Sequence, residues 1–410
     1  AQIIYTLNAA GADLLNRAGA APVDLTRPTP DPNHRTLLLG LKPSRAYTFH
    51  VEVTTPGAGP AATCRSDDHT LTTGALAGAP TVTRTATAPA AQAGGFIVTS
   101  TGVSGGGQPQ AYIIDADGDV VWVAAAPASC SRARMDYEGN NMWMIALNVL
   151  NTGGEMRYVS MDGATARDDV SGLAGAHHDF TVRPGGVIAT MVWSAGGVDA
   201  ESDLVERAPD GTLSAVFHVG ANLYEGGPSL LGSGSNTYHC NALLYHPADD
   251  SYTIGDRNPS LFVKVTRAGR PLWQLGGDCA GAPAPRCAAG GWDSNHGHQL
   301  LANGNFLFFS NGAFGGSDPS TVYEYALDDA NGANDALTAT QVTAYRSAAG
   351  ARSNSLGDVQ RLPNGNTLVV FSNDGLMEEV DSSSRVVQAL SAPWFGYADW
   401  RATLYGPPER

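Results

Sequence analysis

The sequence predicts an all-β protein, a β-propeller of about six blades preceded by a small β-sandwich domain. Short runs with apolar residues at alternate positions, separated by turns that contain Asp, Pro or Gly, are typical of antiparallel strands. From Gly95 onward, a unit of such strands recurs at intervals of roughly 40–60 residues, which is the sequence signature of a propeller. We therefore expect the sandwich at 1–80, a linker at 81–95 and the propeller at 96–410.

The clearest repeat unit is the segment 238–277, which predicts one complete four-stranded blade. Its alternating runs are Asn241–Tyr245, Ser251–Gly255, Leu261–Thr266 and Pro271–Leu275. His239 opens the unit, and Arg257 follows its second strand. Both residue types are suited to an anion, because Arg is permanently charged and His becomes charged on protonation.

Five further units complete the predicted ring. The first spans Phe96–Val123, the second spans Asn141–Val170, and the others begin at His177, near His296 and at Gly357. A seventh blade within the less regular region 125–176 stays open.

Residues 1–80 read as a separate unit without a candidate catalytic group. Tyr47 follows a Gly-Leu-Lys-Pro turn and is succeeded by apolar residues at Phe49, Val51 and Val53. This pattern resembles a sandwich strand with a tyrosine corner, and the unit is similar to a fibronectin type III domain.

Charge and hydropathy restrict the partners. With 24 Lys and Arg against 39 Asp and Glu, the formal net charge is −15, which disfavours nucleic acids and anionic membranes. No apolar run approaches the roughly 18–20 residues that span a bilayer. The chain begins at Ala1 without Met, so we expect a processed secreted or periplasmic protein or a trimmed chain.

Five cysteines allow two disulfide predictions. Cys279 and Cys287 flank a short Gly-, Pro- and Ala-rich loop and are expected to pair. Cys64 and Cys130 are a second candidate pair that would join the two domains, and Cys240 is left over. The alternative is that the cysteines are buried free thiols.

Three predicted blades begin with histidine. The innermost strand of each propeller blade lines the central channel, so residues near its start converge at one mouth. His178, His239 and His296 lead blades three, four and five, while Asp358 and Gln360 lead blade six. Three histidines should therefore meet there.

A family resemblance rests on a longer pattern. His239-x-Asn241, Asp256-Arg257-x-x-Ser260, Lys264 and Trp273-x-Leu275-Gly276-Gly277 resemble the bacterial aryl-sulfate sulfotransferases, over roughly residues 90–405. The resemblance implies that His296 takes up the sulfo group covalently, that His178, His239 and Arg257 bind it, and that Asn241 is a neighbouring channel residue. It also implies a ping-pong reaction with an aryl sulfate and a phenol as small-molecule partners, without a nucleotide donor or a cofactor. Some relatives are dimers, so a homodimer is possible here.

The residue types suit this chemistry. Transfer from an aryl sulfate needs a nucleophile at sulfur, cations near the sulfo oxygens and a proton donor for the departing phenolate. Neutral imidazole can attack, imidazolium can donate a proton, and the planar fork of arginine fits a tetrahedral oxyanion.

Three neighbours are kept as candidate substrate-binding residues. His298 is a rival nucleophile, since positions 296 and 298 share one face of a strand. His177 is adjacent to His178 and should point to the opposite face. Asp358 would oppose an anion unless another residue pairs with it.

Two other function classes stay open. Three convergent histidines with Asp179 or Asp358 are also typical of a divalent-metal site in a lyase or hydrolase. A non-catalytic extracellular binding propeller is the second alternative, favoured by the fibronectin-like unit and disfavoured by His and Arg in the channel.

Overall fold

The computed structural model describes residues 1–8, 15–16, 18–23, 35–55, 62–102, 108–126, 129–147, 154–169, 173, 175–193, 202–219, 227, 237–280, 286–313, 315–328 and 337–408. Within these ranges the protein is all-β, with thirty-one strands and one 3-10 turn at Pro89–Ala91. No helix in these ranges is long and apolar enough to cross a membrane.

The N-terminal strands form one five-stranded sheet. They are β1 Gln2–Leu7, β2 Ala18–Pro22, β3 Ala46–Thr55, β4 Ala62–Arg65 and β5 His69–Thr72, in the order β2-β1-β3-β4, with β5 also paired to β3. The Tyr47 hydroxyl accepts a hydrogen bond from the Lys42 backbone N–H at 2.7 Å, as in a tyrosine corner. No second sheet lies within the described part of 1–80, and the fibronectin-like assignment stays a prediction.

The remaining strands build the propeller. In chain order they are β6 Thr83–Ala86, β7 Phe96–Ser100, β8 Gln110–Asp115, β9 Val120–Ala125, β10 Ser129–Met135, β11 Asn141–Leu147, β12 Gly154–Ser160, β13 Ala166–Asp169, β14 Ala176–Arg183, β15 Val187–Trp193, β16 Ser202–Arg207, β17 Leu213–Val219, β18 Cys240–His246, β19 Ser251–Asp256, β20 Leu261–Thr266, β21 Pro271–Gly276, β22 Cys287–Ala288, β23 Asn295–Leu300, β24 Phe306–Ser310, β25 Thr321–Asp328, β26 Thr338–Tyr345, β27 Asp358–Arg361, β28 Thr367–Phe371, β29 Leu376–Val380, β30 Val386–Ser391 and β31 Asp399–Arg401.

These strands form six sheets in the described part of the chain, which agrees with the predicted blade number. Their orders are β31-β7-β8-β9, β10–β13, β14–β17, β18–β22, β23–β26, and β27–β30 with β6. The first strands of successive blades pack on one another, β14 on β10 and β18, and β23 on β18 and β27, so they lie innermost. Strand β31 pairs with β7, so the C-terminal strand completes the first blade and closes the ring.

Two predicted boundaries differ from the structure. The second blade begins at Ser129 with β10 and not at Asn141. The sequence pattern did not indicate β10, because its alternate positions carry Arg132 and Arg134 in place of apolar residues. Strand β6 lies within the segment predicted as a linker, yet it pairs with the outer strand β30 of the sixth blade.

The cysteine predictions have opposite outcomes. Cys279 and Cys287 form the expected disulfide, next to β22. The predicted pairing of Cys64 with Cys130 is wrong, because both are free thiols. Cys130 is buried in the innermost strand β10, whereas Cys64 is exposed on β4 of the N-terminal sheet. Cys240 is also free and buried.

Lys42, in the segment before β3, contacts the first blade. Its ammonium group lies 2.8 Å from the carboxylates of both Asp117 and Asp119 and also contacts Asp115. Burial, partly offset by Lys42, raises the pKa of Asp115 to about 6. The Asp-x-Asp-x-Asp turn between β8 and β9 is therefore paired with a cation from the segment that precedes β3.

Candidate active site

Four of the innermost strands carry a β-bulge near their first residue. The register shifts fall between Cys130 and Arg132, His177 and Phe180, Cys240 and Ala242, and Asn295 and His298. A bulge places two residues opposite one and thereby re-aims a side chain. These bulges contain His178, Asn241 and His296, three of the predicted site residues.

The bulge in β14 brings His177 and His178 together. Their Nδ1 atoms are 2.9 Å apart, so the expectation that the two rings point to opposite faces is wrong. The reason is the backbone of His178, whose φ of 59° lies in the left-handed region. Such a conformation costs a non-glycine residue about 1–3 kcal/mol and is concentrated at functional sites.

His178 also contacts His239 from the next blade. The two Nε2 atoms are 2.9 Å apart, and the rings meet edge to face. On the other side, His177 stacks on Trp193 with ring centroids 3.7 Å apart and lies 3.2 Å from the Ser202 hydroxyl through Nε2. Three histidines from two blades thus form one hydrogen-bonded row.

The structure fixes which nitrogen of His296 is available. The Asn311 amide group donates to the backbone carbonyls of Ser353 and Leu356, each at 2.8 Å, so its oxygen must face the ring. That oxygen accepts a hydrogen bond from Nδ1 of His296. Since Nδ1 carries the proton in the neutral ring, the lone pair is on Nε2. Nε2 is therefore the ring nitrogen that can accept a proton or attack an electrophile.

Arg257 lies in the turn after β19, beside the histidine row. Its backbone N–H donates to the His239 carbonyl at 3.1 Å. The buried Asp256 carboxylate accepts from the backbone N–H groups of His239, at 2.8 Å, and Asn258, at 3.2 Å, which fixes this turn. Burial is the main cause of the lowered pKa values of His178, His239 and His296, and the positive charge of Arg257 lowers them further.

Burial keeps these imidazoles neutral in the unliganded protein. Burial first, and Arg257 second, lowers the pKa of His296 to about 3, against a smaller opposing effect of Asn311. Burial and the neighbouring cationic groups hold the pKa values of His178 and His239 well below their ordinary value. A neutral imidazole at His296 is the form that can attack an electrophile.

His298 lies in a different environment from His296. Its Nε2 atom is 2.6 Å from the Thr253 hydroxyl, and its ring packs on Phe262 and Phe306. It lines a cavity of 940 Å³ formed by the far ends of the innermost strands. The bulge between Asn295 and His298 has separated two residues that a regular strand would place on one face.

Asp358 is paired, as an anion site would require. Arg132 donates to Asp358 at 2.7 Å and to both oxygens of Asp179 at 2.7 and 3.0 Å. Burial alone would raise the pKa of Asp179, but Arg132 and Arg134 outweigh it and lower that pKa. Asp179 and Asp358 therefore both form ion pairs with the buried Arg132, which was not among the predicted residues.

Tyr397 connects Arg132 to Asn241. The Arg132 guanidinium lies 4.1 Å from the centre of the Tyr397 ring, and the Tyr397 hydroxyl donates to the Asn241 carbonyl at 2.7 Å. The Asn241 amide donates to the Asn295 carbonyl at 2.7 Å, which ties β18 to β23. Asn241 thus positions the backbone on which His296 is carried.

Sequence reasoning missed several of these residues. Asn311 follows β24 in an Asn-Gly pair, a pattern that normally indicates only a turn. The two arginines of β10 were the available signal for the second blade, since charged residues at alternate positions of an inner strand point into the channel.

Among the described residues, no group of three or more His, Cys, Asp or Glu is arranged to hold a metal ion.

Comparison with known structures finds other proteins with low identity. They include a protein of unknown function from Bacteroides caccae, at 13% identity and a TM-score of 0.49, covering 74% of this chain and 98% of that one. A functionally unknown protein from Desulfotomaculum acetoxidans has 11% identity and a TM-score of 0.47, covering 90% and 98%. A catalytically inactive variant of virginiamycin B lyase from Staphylococcus aureus has 12% identity and a TM-score of 0.42, covering 75% and 88%.

Sequence comparison gives the family. No curated protein sequence matches the chain. The family model described as arylsulfotransferase (ASST), in contrast, matches residues 81–392, which is more than half of the chain and contains every innermost strand except β31. This match agrees with the resemblance seen in the motifs around His239 and Arg257. The chain belongs to the arylsulfotransferase family.

Proposed function

We propose that the protein moves a sulfo group from an aryl sulfate to a phenol through a sulfohistidine at His296, without a nucleotide donor. Family membership supports aryl sulfotransfer in general. The observation that carries the finer proposal is the hydrogen bond from His296 Nδ1 to Asn311, because it leaves the lone pair of the neutral ring on Nε2.

In the first half-reaction, Nε2 of His296 attacks the sulfur of the bound aryl sulfate. The N–S bond forms as the bond from sulfur to the aryl oxygen breaks, and the electron pair leaves on the phenolate oxygen. Arg257 stabilises the negative charge of the sulfo oxygens, and it does so strongly because the site is buried. The His178–His239 pair takes up one proton from water when the sulfate anion binds, and transfer of this proton to the phenolate oxygen gives a phenol that can leave and returns the pair to its neutral form.

The second half-reaction reverses these steps with another phenol. The acceptor gives its proton to the histidine pair, and its oxygen attacks the sulfur held by His296. The N–S bond breaks, the electron pair returns to Nε2, and a new aryl sulfate forms. The contacts of Arg132 with Asp179 and Asp358 support anion binding nearby, because they offset one of the two negative charges, and burial, which raises the pKa of Asp358, disfavours the other.

The test is turnover of 4-nitrophenyl sulfate with and without added phenol, in the presence of a chelator. We expect release of 4-nitrophenol that accelerates with phenol, together with formation of phenyl sulfate. Turnover that stops on chelation, or that requires a nucleotide sulfo donor, would contradict the proposal. A metal requirement would favour the lyase or hydrolase alternative.

We also propose that the protein is secreted or periplasmic. The Cys279–Cys287 disulfide supports this, because disulfides persist mainly in oxidising compartments. Fractionation of the source cells should place the protein outside the cytoplasm, with the disulfide formed. Recovery from the cytosol with both thiols reduced would contradict it.

A further inference from the structure

The proposed chemistry uses His178 and His239, but the row of imidazoles is longer. His239 Nε2 meets His178 Nε2 at 2.9 Å, and His178 Nδ1 meets His177 Nδ1 at 2.9 Å. Each contact holds one proton, because a hydrogen bond needs one donor and one acceptor. This simple count limits how protons can be distributed over the three rings.

One extra proton fits the row without breaking either contact. The cation can be His239, His178 or His177, and in every case each contact still has one donor and one acceptor. Moving the charge from one end to the other needs only a short proton shift along each hydrogen bond. When His177 holds the charge, its Nε2–H donates to the Ser202 hydroxyl, 3.2 Å away.

We propose that His177, His178 and His239 jointly store the proton given to the leaving phenolate, and that His177 stacked on Trp193 holds the charge before transfer. This inference rests on the proposed sulfotransfer and adds His177 and Trp193 to it. A ring stacked face to face at 3.7 Å on an indole is well placed for a cation–π interaction.

The charged groups around the row favour the His177 end. Arg257, from the turn after β19, is permanently charged and disfavours a positive charge on His178 and His239. The lowered pKa of His177 comes from burial and is partly opposed by its hydrogen bond to the Cys240 backbone. Asp179, which follows His178 in β14, is paired with Arg132. The arriving anion then makes an extra proton on the row favourable.

The proton count balances over a turnover. One proton is taken up from water when the aryl sulfate anion binds, and it moves to the phenolate oxygen as the S–O bond breaks. In the second half-reaction the acceptor phenol returns a proton to the row, and this proton leaves with the product sulfate. Donor binding should therefore be linked to proton uptake, with no net proton consumed per cycle.

The test compares two donors of different leaving ability, 4-nitrophenyl sulfate and phenyl sulfate, at saturating acceptor. Proton donation matters more for phenyl sulfate, because its phenolate is the more basic leaving group. We expect His177→Asn to lower kcat on phenyl sulfate at least about 10-fold more than on 4-nitrophenyl sulfate. Trp193→Leu should show the same selective loss to a smaller degree, and His218→Asn, on the exposed face of the same blade, should show none.

A second measurement does not need turnover. With the His296→Asn enzyme, the binding enthalpy of 4-nitrophenyl sulfate should depend on the ionisation enthalpy of the buffer, with uptake of about one proton. Adding His177→Asn should reduce that uptake. Equal slowing of both donors by His177→Asn, or proton uptake that His177→Asn leaves unchanged, would overturn the inference. If the wild-type enzyme releases neither 4-nitrophenol from 4-nitrophenyl sulfate nor phenol from phenyl sulfate, the proposed function itself has failed.

Discussion

Two histidine pairs lie on innermost strands, and a β-bulge acts on them in opposite ways. In β14 the bulge draws the adjacent residues His177 and His178 into contact at 2.9 Å. In β23 it separates His296, which bonds to Asn311, from His298, which bonds to Thr253. The comparison teaches that the bulges, and not the regular period of the strands, decide which side chains meet in this channel.

The largest expected effect tests the two pairs directly. His178→Asn should lower kcat/KM by roughly 10²–10⁴-fold, the usual range for a positioned proton donor, while His298→Asn should cost less than about 10-fold. Asparagine is the appropriate replacement at 178, because it tolerates a positive φ. Steady-state kinetics on 4-nitrophenyl sulfate measure both variants, and a larger loss for His298→Asn would reverse the comparison.

The second prediction breaks the bulge itself. A Cβ atom added at Gly297 would lie 1.8 Å from a carboxylate oxygen of Asp358, so Gly297→Ala must displace β23 or Asp358. A displacement of about 1 Å at the nucleophile costs roughly 10²-fold in rate. Gly291→Ala is the matched control, because an added Cβ there meets nothing within 4 Å. Equal kcat for the two variants would show that the bulge geometry does not position His296.

The third prediction concerns the hydrogen bond that orients His296. Asn311→Ala should lower kcat by roughly 10–100-fold, by analogy with the loss of an outer hydrogen-bond partner of a metal-bound histidine. Ser353→Ala is the control, since it removes hydrogen bonds of the same loop at 2.8 and 3.1 Å but keeps the carbonyl that Asn311 contacts. If the Ser353 variant is equally slow, Asn311 acts through loop stability and not through the His296 tautomer.

The smallest expected effect is on stability against pH. The pKa values of buried His177 and His296 are about 3 and that of His298 is about 4, so between about pH 6.5 and pH 4 the unfolded chain binds protons that the folded chain does not. The free energy of unfolding should therefore fall as pH drops through that window. The raised pKa values of Asp115 and Asp358 act in the opposite direction but involve fewer groups.

Denaturant unfolding at pH 5 and pH 7 measures this difference. Each such histidine contributes on the order of 1–2 kcal/mol at pH 5, so His298→Asn should make the difference smaller by about that amount. A pH difference that the variant leaves unchanged would show that His298 is not buried as a neutral ring.

Much of the fold and less of the site could be predicted from the sequence. The repeat of alternating runs gave six blades, because turn residues and period-two patterning are local signals. The first strand of blade two was missed, since Arg132 and Arg134 replace apolar residues where the channel is lined by an ion-pair layer. The roles of His177 and Asn311 depend on bulges and on loops from distant blades, and neither leaves a local pattern.

The central claim is that Nε2 of His296 carries the sulfo group, and intact-protein mass spectrometry tests it most directly. Enzyme mixed with 4-nitrophenyl sulfate and no acceptor should gain about 80 Da, the mass of a sulfo group, and lose it when phenol is added, as double displacement requires. The mass must be read at neutral or basic pH, because the N–S bond is acid-labile. The account predicts that His296→Asn abolishes the adduct and that His298→Asn retains it. An adduct lost only in the His298 variant, or an active enzyme that never forms one, would contradict it.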